Sequence, residues 1–128
     1  MAARYSRRDE IRTYATEAIR AGLEVTSTWL QENHPLGVQL GDVTYLEKRD
    51  IAQRDMADIE QAEALVFFAE DAGKQPPRGG RHVEFGIAVA QGKEIFVVGA
   101  QENVFHYLPG VYHFASWGEA LARIPKRS

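Results

Sequence analysis

The sequence predicts an α/β domain, a parallel sheet of about five strands with helices on both faces. Two observations carry this. Short continuous apolar runs, Ala64-Leu65-Val66-Phe67-Phe68 and Ile95-Phe96-Val97-Val98, alternate with segments of helical period. Runs that are apolar throughout belong to strands buried on both faces, and such strands pair in parallel through helical crossovers. Ligands in these sheets sit beyond the carboxyl ends of the strands, where the strand order reverses. The loops after the first, third and fourth strands are therefore expected to supply the site.

The 128 residues make one domain, 1–128, long enough to bury a core. Met1 to Tyr5 reads as a first strand cut short, so Met1 is not expected to be the native start. An apolar stretch of about four to six residues is expected upstream. A helix follows Arg7-Arg8-Asp9-Glu10, with Ile11, Tyr14, Ala15, Ala18 and Ile19 at helical spacing and Gly22 as its stop. Leu23 to Ser27 reads as a second strand, running on to Trp29 and Leu30. Residues 31 to 46 carry Asn33, His34, Pro35, Gly37, Gly41 and Asp42 without a period and read as a long loop, a frequent form of functional lid.

A helix from about Glu47 to Ala62 leads to the strand Ala64–Phe68. Asp71 to Gly80 is the loop at that strand's end. An almost wholly apolar helix from Gly80 closes at Gly92, and the strand from Glu94 follows. Gln101 to Pro109 is short and irregular. Val111-Tyr112-His113-Phe114 reads as an edge strand, and Ser116 caps a last helix, Trp117 to Arg123.

The net charge of −3 points to neither a nucleic-acid polymer nor an acidic membrane surface. Without cysteine there is no disulfide and no thiolate chemistry. No apolar leader and no stretch of membrane-spanning length occurs, which suits a cytoplasmic protein. The histidines His34, His82, His106 and His113 lack ligand spacing, so no metal is expected, and nothing calls for a cofactor.

Gly79 and Gly80 allow a tight turn and a close backbone approach to a ligand at the start of the helix. Glu84 is the acid of that helix start, amid Val, Phe, Ile and Ala. It reads either as a nucleophile or charge-stabilising group held ionised by the helix dipole, or as an ordinary dipole partner. His82, two residues earlier, orients Glu84 or simply sits on the loop.

Asp55 falls within the apolar stripe Ile51, Ala52, Met56 and Ile59, where an acid is costly unless it is paired or bound. The alternative is a loop-capping role. Asp58 sits at the stripe's edge and reads as a surface acid. Ser6, Arg7 and Arg8, with Arg4, crowd a helix N-terminus and could cradle an anion or stay solvated. Phe105, Tyr107, Tyr112 and Phe114 could stack a base or form an interface.

The set Asp55-x-x-x-Ile59 running into Ala64–Phe68, then Gly80-Arg81-His82-Val83-Glu84-Phe85-Gly86 and Gly92-Lys93, resembles the nucleoside 2-deoxyribosyltransferase superfamily. That superfamily also contains deoxynucleoside 5'-monophosphate N-glycosidases and a cytidine monophosphate hydrolase. The resemblance runs from Arg4 to about Leu121. It implies a flavodoxin-like or Rossmann-like fold. Glu84 would attack the anomeric carbon to form a glycosyl ester, and Asp55 would assist protonation of the departing base. Ser6, Arg7 and Arg8 would hold a 5'-phosphate, and Asn103 would reach a neighbouring subunit's site.

Two positions depart from the pattern. Arg78 stands where some transferases carry a second acid, and the first strand is nearly absent. The expected substrate is a 2'-deoxynucleoside or its 5'-monophosphate, with Arg7 and Arg8 favouring the monophosphate. A homodimer or higher homo-oligomer through Glu102 to Tyr112 is expected. The other readings are a non-catalytic nucleotide-binding or sensor module and an NAD- or ribonucleotide-cleaving N-glycosidase.

Overall fold

The computed structural model describes residues 1–31, 45–70 and 79–125. Four helices, α1 (Arg8–Arg20), α2 (Tyr45–Gln61), α3 (Gly80–Ala90) and α4 (Trp117–Arg123), accompany three strands, β1 (Ala64–Phe68), β2 (Glu94–Val98) and β3 (Val111–Phe114). All three strands are parallel, in the order β1-β2-β3, with Leu65 opposite Ile95 and Ile95 opposite Val111. The result is a mixed α/β domain compatible with a Rossmann-like fold.

Alternation along each strand divides the core in two. Val66, Phe68, Phe96 and Val98 face α1, α4 and the turn holding Trp29 and Leu30. Leu65, Phe67, Ile95 and Val97 face Ile59 of α2 and Phe85 and Ala88 of α3. The sheet is thus covered on both sides, as its apolar strands require.

Two of the five expected strands do not form among the described residues. The N-terminal segment contributes one parallel bridge, Ala2 to Phe67. The Ala2 N–H donates to Val66 O at 2.8 Å, and the Phe68 N–H donates to Ala2 O at 2.8 Å. Leu23 to Ser27 is not a strand. It lies beside Met1, whose amino group donates to Ser27 Oγ at 2.6 Å. A ladder needs several paired residues, and a single bridge offers none to a second strand.

Other boundaries shift less. α2 begins at Tyr45 rather than Glu47, and Ile19 is exposed. Ser116 does cap α4, accepting the Glu119 N–H at 3.3 Å. Lys93 Nζ donates to Glu60 O at 3.0 Å and to Ala62 O, closing the carboxyl end of α2. Gly99, at φ 106°, could not carry a side chain cheaply, since a Cβ there would come within 3.3 Å of Ala69 Cβ. Most of the predicted loops 31–46 and 71–80, with His34 and Arg78, lies outside the described residues.

Candidate active site

The inward face of α2 is Ile51, Asp55, Asp58 and Ile59, a spacing of i, i+4, i+7 and i+8. This corrects the expected stripe, because Ala52 and Met56 are exposed. It also corrects Asp58, which is not a surface acid. Its Oδ2 accepts the Thr28 N–H and the Thr28 hydroxyl, each at 2.7 Å, and its backbone carbonyl accepts the Thr26 hydroxyl at 2.8 Å. Asp58 therefore anchors the segment after α1 to α2.

Asp55 and Asp58 line a cavity of about 450 Å³, and Glu84 of α3 lines the same cavity. Met1, Ser27, Ile59 and Leu65 form adjoining wall. The two carboxylates singled out in the sequence, on helices separated by a strand, are thus brought to one space, but it lies by the amino ends of β1 and β2, at Ala64, Leu65 and Glu94, and not beyond the carboxyl ends where the site was expected.

Glu84 sits differently from its expectation. α3 starts at Gly80, so no acid lies in its first turn and Glu84 falls in the second. The dipole weakens within that turn. Burial instead pushes the Glu84 carboxyl up to about 7, resisted by the Met1 ammonium and reinforced by Asp55 and Asp58. A group held ionised by the helix end is replaced by one poised near neutrality.

That shift carries a stability consequence. The carboxyl has an ordinary value of 4.5 and titrates at about 7 when folded. The folded state therefore holds this proton more tightly, and the stabilisation is complete below pH 4.5. It declines as pH rises to about 7 and is constant above. Glu84→Gln, which cannot ionise, is expected to match the wild type near pH 4 and to exceed it above pH 7, by at most about 3 kcal/mol. Urea unfolding at both pH values measures this, and a variant less stable at pH 8 contradicts the assignment.

Gly79 takes φ 89° as the N-terminal residue flanking α3, which explains the glycine there. Its carbonyl accepts the N–H groups of His82 at 3.0 Å and Val83 at 3.2 Å. Gly80 is the first helical residue. His82 lies with Glu102, its Nε2 3.9 Å from Oε1, and its ring packs 5.5 Å from that of Phe67. Asn103 starts a short 3-10 turn, Val104–Tyr107, accepting the Phe105 N–H at 3.0 Å on Oδ1.

A second cavity, of about 540 Å³, opens at the carboxyl ends of the strands between Arg4, Ser6, Arg7, Glu10, Glu70, Gly99 and Ser116. Ser6 and Arg7 are on this cavity, while Glu84 and Asp55 are on the first. Arg8 turns to Tyr5, donating to its hydroxyl at 2.7 Å and lying 5.0 Å from the ring centre.

Sequence reading missed Arg81, Glu102 and His106. Arg81 is 4% exposed, and its guanidinium makes a two-armed pair with Glu102, one arm at 2.7 Å. Glu102 Oε2 also takes the Glu70 N–H at 3.3 Å. The Glu102 N–H donates to Nδ1 of the buried His106 at 3.0 Å. This network ties the start of α3 to the ends of β1 and β2. A signal was available, since Arg81 shares a helical stripe with the buried Phe85 and Ala88.

Among the described residues no group of three or more His, Asp or Glu side chains is placed to hold a metal ion. No described helix is long and apolar enough to cross a membrane. Comparison with known protein families, curated proteins and solved structures gives no match to this chain.

Proposed function

We propose that the cavity between α2 and α3 breaks the N-glycosidic bond of a 2'-deoxynucleoside or its 5'-monophosphate, on a flavodoxin-like variant of the Rossmann-like fold. The observation that carries this reading is the convergence of Glu84 and Asp55 on one cavity, with Glu84 poised at about 7. Two carboxylates of unlike environment are what glycosidic cleavage uses, one at the anomeric carbon and one serving the leaving group. The cavity volume lies within the usual range of about 300–1,000 Å³ for small-molecule sites.

Glu84 and Asp55 share one proton; with it moved to Asp55, ionised Glu84 attacks C1', and the C1'–N bond breaks with its electron pair leaving on the base. The base takes a proton from Asp55. In the second step water or another base attacks C1', its proton returns to Asp55, and Glu84 is released as carboxylate. Positive charge at C1' in the transition state is stabilised by the surrounding acids and draws Glu84 towards ionisation. No metal or cofactor enters the scheme. A pure binding or sensor module has no use for a buried acid whose pKa is raised further by neighbouring acids, which favours the enzyme.

Incubation with deoxynucleosides and their monophosphates, with and without an acceptor base, is expected to release free base or exchange it. No turnover on any member of the panel ends the enzyme reading and favours the sensor module. In the same proposal a second copy of the chain covers the exposed Val104, Phe105, Tyr107 and Tyr112.

A further inference from the structure

We infer that His106 is a pH-sensitive positioning residue: its neutral ring holds Glu102 in place against Arg81 at the start of α3, and protonation releases that hold. Its bearing on catalysis rests on the function proposed above, since α3 carries Glu84.

His106 is 1% exposed, in the 3-10 turn Val104–Tyr107 that follows β2. Its ring centre lies 4.8 Å from those of Phe67 and Phe85. Nδ1 accepts the Glu102 N–H at 3.0 Å. A ring nitrogen that accepts carries no proton, so the proton of the neutral ring sits on Nε2. Nε2 is buried and makes no hydrogen bond among the described residues. An imidazolium carries a proton on both nitrogens. Protonating His106 therefore points Nδ1–H at the Glu102 N–H, donor against donor, and the bond is lost.

This bond fixes the Glu102 backbone, and the Glu102 carboxylate passes the constraint on. Oε1 accepts Arg81 Nη2 at 2.7 Å, while Oε2 accepts Arg81 Nη1 and, at 3.3 Å, the Glu70 N–H. Arg81 is the second residue of α3, and Glu84 stands one turn on. The contacts thus run from His106 through Glu102 and Arg81 to the helix that aims Glu84.

The surroundings favour the neutral ring. Burial lowers His106 from the usual 6.5, Glu102 alone pulls the other way, and His82, Arg81 and His113 add to the lowering. His82, its ring 6.3 Å away, is itself lowered by burial and by Arg81. Glu70, at the end of β1, turns its carboxylate towards Arg7, 3.6 Å away. The stabilisation from the neutral ring is therefore complete above pH 6.5 and is lost as pH falls through the lower folded value.

Nitrogen NMR of the wild type at pH 8 should show His106 as the Nε2–H tautomer. The opposite tautomer overturns the inference, and this measurement needs neither a variant nor turnover. Hydrogen exchange reads the release. Protection of the Glu102 amide, relative to the amides of β2, should fall roughly ten-fold between pH 8 and pH 5, the scale of one hydrogen bond. His106→Asn keeps an acceptor for that amide and cannot be protonated, so its protection should stay level. Level protection in the wild type, or an equal fall in the variant, overturns the inference.

Turnover reads the positioning of Glu84. The ratio of kcat at pH 5 to kcat at pH 7 should be higher in His106→Asn than in the wild type, again by roughly ten-fold. An equal ratio overturns the positioning role. A protein inactive on every substrate ends the proposed reaction instead, and the tautomer and exchange results then decide the hold on Arg81 by themselves.

Discussion

Glu84→Ala is expected to remove nearly all turnover, on the order of 10⁴-fold or more, while the protein stays folded. Loss of the nucleophile removes the covalent route itself, and the rate that remains comes from binding alone. The fold should survive because Glu84 is a cavity wall residue, flanked in α3 by Phe85 and Ala88, which do the packing. Glu84→Gln keeps the size and removes only the charge, and it should be equally inactive.

Two further readouts separate a nucleophile from a bystander. A slow substrate should leave a glycosyl adduct on the peptide carrying Glu84, detectable by mass spectrometry. The rate should also fall as pH rises past about 7, where the pair loses the one proton that Asp55 must give to the base. Full activity in the alanine variant sinks the proposed reaction.

The legibility of this chain follows the strength of each local signal. β1 and β2 are read from sequence because runs of five and four consecutive apolar residues, Ala64–Phe68 and Ile95–Val98, leave no other buried form, and both lie where expected. α3 is bracketed by Gly79 and Gly92, so its ends were visible. The strand at Leu23 to Ser27 was misread because strand propensity is a statement about neighbours. Its neighbour is the N-terminal segment, which pairs only at Ala2.

The site was partly legible for a related reason. Asp55 interrupts an apolar stripe, and such an interruption shows in a single helix. The phase of α2 was set one step off by Ala52 and Met56, which hid the inward position of Asp58. Glu102 gave no signal of its own. Its meaning comes from Arg81, which lies 21 residues away and meets it only in the fold. Arg7 showed its charge in the sequence, but the pairing with Glu10 that uses it is a matter of side-chain geometry.

Asp55→Asn is expected to lower kcat roughly 100-fold or more, the usual scale for removing a general acid. The amide fills the same space on the inward face of α2, so stability should change little. Two effects then distinguish catalysis from packing. A substrate whose leaving group departs without protonation should lose far less than the natural nucleoside, because Asp55 is needed only where the base must receive a proton. The Glu84 titration should also move. Burial is the main cause of its raised value and stays in place, but the added pressure from the Asp55 charge disappears. In Asp55→Asn, where Glu84 titrates alone, the residual rate should rise with pH as Glu84 ionises, with a midpoint below that of the wild-type pair. A purely structural Asp55 predicts the opposite set: a lower melting temperature, normal activity per folded molecule, and an equal effect on both kinds of leaving group. That outcome would leave Glu84 without its partner and reduce the cavity to a single reactive carboxylate.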